Sequence, residues 1–171
     1  MDDFRRIALP GKGPEDVVCL PDGRVITGLD DGRLLAVDPE TDDVEVLADT
    51  AGHLLGLEVT DDGAIIICDH DRGLLRLEAG RGRPEVLVDT VDGRPLRYAS
   101  NAVMGVDGTI YFTVSSQRYT IDRWRSDIIE HSGTGRLLRL DPDGAVTVLR
   151  DDLQFANGLV HAEFGADGNA A

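Results

Sequence analysis

The sequence predicts an all-β protein of about three four-stranded β-propeller blades, with the first strand of a fourth. Asp-Gly turns recur at Asp22-Gly23, Asp62-Gly63 and Asp107-Gly108, in steps of 40 and 45 residues. Each turn separates a short apolar run from a β-branched run, which is typical of a β-hairpin. Two further apolar runs follow each hairpin. Four short strands at this period indicate propeller blades.

The strands are assigned in chain order from these runs. They cover residues 17–20, 25–27, 32–37 and 44–47 in the first unit, 55–59, 65–68, 73–77 and 85–88 in the second, and 102–104, 110–114, 135–140 and 145–149 in the third. The runs are rich in Val and Ile and are separated by Gly and Pro, which favours strands over helices. A β-sandwich would also explain short strands, but not three matched four-strand units.

An insertion in the third unit is the one place where a helix is predicted. Residues 121–131 form a short helix or an ordered loop, because Trp124, Ile128 and Ile129 have helix-compatible spacing. We expect this insertion to be able to cover a pocket.

The predicted domain organisation is a partial propeller over residues 1–160 and an atypical tail over 161–171. The blades cover roughly residues 12–50, 51–90 and 98–152, and the next blade begins at 153–160. Closed rings need about four to eight blades, so we expect a truncated form of a larger propeller. Its open blade edges favour self-association, for example as a three-plus-three pair.

Composition narrows the possible partners. The net charge of −15 repels phosphate backbones, so nucleic acid is not expected to bind. The N-terminus lacks a signal-type apolar segment, and no run approaches a membrane span, which predicts a cytoplasmic protein without a membrane partner. Cys19 and Cys68 lie in apolar runs and are predicted to be reduced core residues.

Three oxygen-bearing residues stand at equivalent positions, just before or at the start of innermost strands. They are Glu15, Asn101 and Asn157. Innermost strands line the channel of a propeller, so these side chains are expected to converge at one mouth. One carboxylate with amide oxygens suits a hard cation such as Ca²⁺. Alternatively, Glu15 caps a turn and the asparagines form Asx-turns.

Several motifs resemble one propeller family. Gly13-Pro14-Glu15, the stretch over residues 92–113 and the later stretch over 133–142 are similar to strictosidine synthase-like proteins. These are related to the gluconolactonases, a group that includes senescence-marker protein and luciferin-regenerating enzyme. Residues 13–16 and 155–158 also resemble motifs of the paraoxonases. The similarity covers residues 10–160, as expected for the N-terminal half of such a protein.

The resemblance implies a six-bladed propeller that holds Ca²⁺, or another divalent cation, and hydrolyses a lactone or ester. Carried over by position, Glu15, Asn101 and Asn157 are metal ligands. Asp16 resembles a residue that serves a second calcium, and His53 is a candidate catalytic base. The family's remaining acidic ligand and the plant synthase's catalytic glutamate lie in later blades, so strictosidine condensation is not predicted. The alternative is a non-catalytic propeller that binds a small molecule or protein in its channel.

Overall fold

Three antiparallel four-stranded sheets follow one another in the computed structural model, which describes residues 4–78 and 82–162. Each sheet uses four consecutive strands in up-and-down order, as propeller blades do. The strands are β1 (Val17–Cys19), β2 (Val25–Gly28), β3 (Arg33–Val37) and β4 (Val44–Asp49) in blade 1, β5 (Leu54–Val59), β6 (Ile65–Asp69), β7 (Gly73–Leu77) and β8 (Glu85–Val88) in blade 2, and β11 (Ala99–Met104), β12 (Ile110–Val114), β13 (Gly135–Leu140) and β14 (Val146–Leu153) in blade 3. The predicted partial β-propeller is confirmed.

A small hairpin that the sequence did not predict joins blades 2 and 3. Strands β9 (Thr90–Val91) and β10 (Arg94–Pro95) pair across a two-residue turn. The turn residues Asp92 and Gly93 have φ values of 52° and 72°. Positive φ at both central residues is the requirement of a type I′ hairpin turn.

The core lies between the faces of neighbouring blades. Strand β6 shows this best, because all five of its residues are buried. Ile65 and Ile67 pack in a cluster with residues of blade 1, whereas Ile66 and Cys68 pack with residues of blade 3. Successive side chains of a strand point to opposite faces. Strand β6 therefore belongs to a blade that is covered on both sides.

The three blades also share irregularities in the pairing of their strands. The third and fourth strands of each blade shift register at the same place, at Leu34/Leu35, Leu74/Leu75 and Leu137/Leu138. The first strand pairs of blades 2 and 3 also shift, next to Gly56 and Asn101. A bulge bends a strand and increases its twist.

The insertion in blade 3 is helical, as predicted. A 3-10 turn over Ile121–Arg123 leads into helix α1 (Trp124–Glu130). Asp127 is the only buried residue of α1, and its carboxylate accepts hydrogen bonds from the hydroxyls of Ser116 and Ser132. These two serines flank the insertion, so the helix is tied to both segments that connect it to the blade.

The two cysteines differ in their surroundings. Both are free thiols, as predicted, and Cys68 is fully buried in the core. Cys19, at the end of β1, is exposed, so the prediction that it is a core residue is wrong. Its strand is the innermost strand of blade 1 and has no blade packed against its other face among the described residues.

The last described segment, residues 154–162, contains no strand, so the first strand of a fourth blade predicted at 153–160 is not formed, and Leu153 ends β14 instead. Among the described residues this segment has no further strand to pair with. The predicted tail over 161–171 lies outside the described residues from position 163 onward. Within the part of the chain that the structure covers, no helix has the length and apolar character needed to cross a bilayer.

Candidate functional site

The segments that lead into successive blades share one backbone feature. Each begins with a residue of positive φ, and these residues are Gly13, Ala51, Tyr98 and Phe155, at 68°, 54°, 58° and 47°. The residues two positions further on are Glu15, His53, Ser100 and Asn157. Bulky residues rarely adopt this conformation, which costs about 1 to 3 kcal/mol each. The repeated backbone geometry thus places a polar side chain at the equivalent position before each of the three blades and in the segment that follows blade 3.

One cavity of about 230 Å³ joins two of the predicted site residues. Glu15 and Asn157 line it together with the hydroxyl residues Ser100 and Ser115. The rest of its lining is apolar and consists of Tyr98, Ile121, Trp124 and Phe155. A mostly apolar cavity with a few converging polar groups is the usual form of a small-molecule site.

Three aromatic rings form a continuous wall of this cavity. The rings of Tyr98 and Phe155 meet edge to face, with centroids 5.8 Å apart and an interplanar angle of 87°. Trp124, from the inserted helix, lies 6.3 Å from Phe155. Such contacts add about 0.5 to 1.5 kcal/mol beyond area burial. They help to offset the backbone strain at Tyr98 and Phe155, and they bring the insertion over the site.

Glu15 carries the charge of the cavity. The residue as a whole is exposed, but its carboxyl is partly buried, and this burial raises the pKa of Glu15. The nearby His53 acts in the opposite direction and lowers this pKa, while Asp16 adds to the increase. Within the described ranges, no hydrogen bond reaches the Glu15 carboxylate or the side chain of Asn157. The cavity therefore offers a partly desolvated carboxylate whose oxygens are available to a ligand.

Asp16 links the innermost strands of all three blades. Its Oδ1 accepts a hydrogen bond from the Val17 amide at 2.8 Å, and its Oδ2 accepts one from the Leu57 amide at 2.8 Å. Oδ2 also lies 3.5 Å from the amide nitrogen Nδ2 of Asn101. Of the two amide atoms of Asn101, the nitrogen is therefore the one that faces Asp16.

Asn101 and Asn157 approach each other around one hydroxyl. Thr113 Oγ1 donates to the main-chain oxygen of Asn157 at 2.6 Å and lies 3.4 Å from that of Asn101. The hydroxyl of Ser115 donates to the Ala156 oxygen at 2.7 Å. Two side chains at the end of β12 and just after it therefore hold the segment that carries Asn157, although it forms no strand.

His53 lies close to Glu15 and in front of a second histidine. The centroids of the His53 and His70 rings are 6.3 Å apart. His70 is buried, and its Nε2 accepts a hydrogen bond from the Ile121 amide at 3.0 Å. Its Nδ1 then carries the proton and donates to Asp71 Oδ1 at 2.9 Å. His70 thereby connects blade 2 to the insertion that covers the cavity.

Pairwise interactions link the five predicted site residues, but of the five only Glu15 and Asn157 line the described cavity. Glu15 and Asn157 share a cavity, the nearby His53 lowers the pKa of the Glu15 carboxyl, and Asp16 contacts Asn101. In the described part of the chain, no three His, Cys, Asp or Glu side chains are grouped to hold a metal. Any metal bound here would need the asparagine oxygens.

Sequence reasoning missed several lining residues. Ser100, Ser115 and Tyr98 were not assigned to the site. The available signal was positional, because Ser100 follows the positive-φ residue Tyr98 by two, as Glu15 follows Gly13. That register becomes visible only when backbone angles are known.

Gly56 allows the innermost strands of blades 2 and 3 to approach beside Asn101. A Cβ atom on Gly56 would lie 2.5 Å from the Ser100 oxygen and 2.7 Å from the Asn101 Cα. We therefore expect Gly56→Ala to lower the free energy of unfolding by about 1 to 3 kcal/mol, as overpacking does. Urea unfolding followed by circular dichroism measures this loss.

Gly158→Ala is the matched control for Gly56→Ala. A Cβ atom on Gly158 would meet no heavy atom within 4 Å, so its unfolding midpoint should stay near that of the unmodified chain. Equal midpoints for the two variants would show that the contact between Gly56 and Asn101 is not tight.

Comparison with known proteins identifies two matching family models. Residues 1–37 match the N-terminal model of strictosidine synthase-like proteins, and residues 101–166 match the strictosidine synthase model. Protein STRICTOSIDINE SYNTHASE-LIKE 7 of Arabidopsis thaliana is 35% identical over 152 residues, which cover 85% of this chain and 41% of that protein. The adipocyte plasma membrane-associated protein of Gallus gallus is 30% identical over 165 residues, covering 86% of this chain and 39% of its own.

A solved structure supports the fold. An X-ray structure assigned as a gluconolactonase superposes with a TM-score of 0.71 at 22% identity, covering 97% of this chain and 57% of that one. At this identity the likeness establishes the propeller fold alone. The chain spans about two-fifths of the length of the curated relatives, at 41% and 39%.

Proposed function

The chain belongs to the strictosidine synthase-like family, and on that basis we propose that its cavity serves the hydrolysis of a lactone or ester with a divalent cation, Ca²⁺ in the first place. The observation that carries the proposal is the convergence of Glu15 and Asn157 in one cavity, next to Asn101. The fold shared with a gluconolactonase is in keeping with it.

The residues present fit a hard cation. Glu15 supplies a carboxylate, and Asn101 and Asn157 supply amide oxygens, the ligand types that Ca²⁺ prefers. Partial burial raises the pKa of the Glu15 carboxyl, so a nearby cation would remove a cost of keeping it ionised. Because the Asn101 amide nitrogen faces Asp16, its oxygen is the atom left for a ligand.

Asp16 has a different place in this proposal. Its two oxygens already accept hydrogen bonds from the Val17 and Leu57 amides and lie near the Asn101 amide. A carboxylate with these partners can still share an ion, but it also orients Asn101. We propose that Asp16 serves the cation chiefly by fixing that amide.

A bound divalent cation supplies Lewis-acid chemistry, since it polarises a carbonyl oxygen and increases the acidity of water. The chain's own groups then have three tasks. His53, near Glu15, would accept a proton from water in this proposal. Tyr98, Trp124 and Phe155 hold the apolar part of the substrate. The inserted helix, tied to blade 2 through His70 and Ile121, limits the access of bulk water.

The test is hydrolysis by the whole chain after removal of metal. The chain is treated with a chelator, dialysed, and assayed on phenyl acetate and on δ-valerolactone with and without added Ca²⁺. We expect turnover that depends on Ca²⁺, and we expect the chelator to abolish it. Ligand binding without turnover, at every Ca²⁺ concentration, would contradict the hydrolase and favour the non-catalytic alternative.

A further inference from the structure

A second cavity, of about 280 Å³, is lined by three arginines although the chain has a net charge of −15. Arg94 and Arg97 come from strand β10 and the segment after it, and Arg136 comes from β13. This cavity shares no lining residue with the one at Glu15. Positive charge is therefore concentrated at one concave place on an otherwise acidic protein.

The hydrogen-bonding capacity of these arginines is only partly used. Arg94 has no acidic partner in the described part of the chain. Arg97 Nη1 lies 4.0 Å from Asp71 Oδ1, at the limit of an ion pair, and the Arg97 side chain is 58% exposed. Arg136 Nη1 lies 3.1 Å from Asp92 Oδ2, while its Nε is buried and unpaired. A buried donor without a partner is costly, so a ligand acceptor would be favourable here.

We propose that this cavity binds a small organic anion that has a carboxylate or phosphate group and an apolar part. The guanidinium groups match the planar oxygens of either headgroup and form charge-assisted hydrogen bonds with them. The remaining lining includes Val91, Leu96 and Val114, all of which are buried. These side chains would contact the apolar part, which inorganic ions lack.

The arginine-lined cavity is separate from the cavity at Glu15, but residues that line the two cavities are neighbours in sequence. Leu96 and Arg97 directly precede Tyr98, and Val114 directly precedes Ser115. Tyr98 and Ser115 line the cavity at Glu15, so the two cavities lie along the same two segments of chain. The anion site does not depend on the proposed hydrolase, and a failure of either leaves the other standing.

Calorimetric titration of the whole chain, with metals removed by chelation, tests the proposal. The probes are octanoate, octyl phosphate, octanol and inorganic phosphate. We expect the two amphiphilic anions to bind, with affinity that falls as salt is added, and octanol not to bind measurably. The tighter of the two anions identifies the headgroup. Equal affinity of octanol and octanoate, or of inorganic and octyl phosphate, would overturn the proposal.

Single arginine variants locate the bound anion. Arg94→Gln and Arg97→Gln remove exposed side chains, so the fold should be kept, and each should weaken octanoate binding roughly tenfold. Arg150→Gln removes the same charge from an exposed side chain on β14, where Arg150 pairs with Asp152, and should leave the affinity unchanged. An equal effect of all three variants would show that only the overall charge matters, and would overturn the assignment to this cavity.

Discussion

Glu15→Gln should reduce Ca²⁺-dependent hydrolysis by roughly a hundredfold or more. Removing a hydrogen-bond partner of a metal ligand already lowers metal affinity or activity by about ten- to a hundredfold, and here the proposed ligand itself is changed. Glutamine has nearly the same shape as glutamate, so the cavity keeps its size. It lacks the negative charge, and among the described residues Glu15 is the one carboxylate that lines this cavity. We therefore expect calcium affinity and the turnover number to fall together.

Glu85→Gln is the matched control, because Glu85 is exposed on β8, away from the cavity. It removes the same charge and should leave both calcium affinity and turnover as they are. Calcium affinity is measured by calorimetry on the chelator-treated chain, and turnover with phenyl acetate. A Glu15→Gln variant that binds calcium as the unmodified chain does would rule out Glu15 as a ligand.

The fold was predictable because each repeat is marked by turn residues and apolar runs that lie close together in sequence. Asp-Gly turns with positive φ at Gly23, Gly63 and Gly108 mark each first hairpin. The apolar runs on either side became β1 and β2 and their counterparts, with the expected antiparallel pairing. The β9–β10 hairpin was missed because its strands have two residues each, which is too short for any alternation to show.

The site was predictable where like residues stand at like positions. Glu15, Asn101 and Asn157 were selected as oxygen ligands on innermost strands, and two of them, Glu15 and Asn157, line one cavity. Asn101 is not one of its lining residues, because the equivalent position in blade 3 is that of Ser100. Burial was harder to predict, since it depends on neighbours rather than on the residue itself. Cys19 lies in an apolar run like that of Cys68, yet only Cys68 has a blade on each side.

The strained backbone explains why the rest of the site escaped sequence reasoning. Tyr98 and Phe155 have positive φ although neither is glycine, so their residue type does not indicate this backbone conformation. Their rings pack on each other, and the Phe155 ring also packs on Trp124 of the insertion, which lies far from Phe155 in sequence. The aromatic wall of the cavity is therefore a tertiary feature, and so is the arginine cavity.

Asp69→Ala should lower the free energy of unfolding by roughly 3 kcal/mol or more, because it leaves several donors without a partner. Asp69 ends β6 and is completely buried. Its Oδ1 accepts hydrogen bonds from the amides of His53 at 3.3 Å, Asp71 at 2.8 Å and Arg72 at 3.0 Å. One carboxylate oxygen thus holds both the segment that carries His53 and the turn after β6.

Asp69→Asn separates the hydrogen bonds from the negative charge. Asparagine keeps an acceptor at Oδ1 and puts its amide nitrogen where Oδ2, which has no partner, now lies. We expect this variant to retain most of the stability that Asp69→Ala loses. Asp61→Ala, at an exposed turn, is the control and should change the free energy of unfolding by less than about 0.5 kcal/mol. Urea unfolding compares the three variants. If the alanine and asparagine variants were equally destabilised, the charge of Asp69 rather than its acceptor role would hold the His53 segment in place.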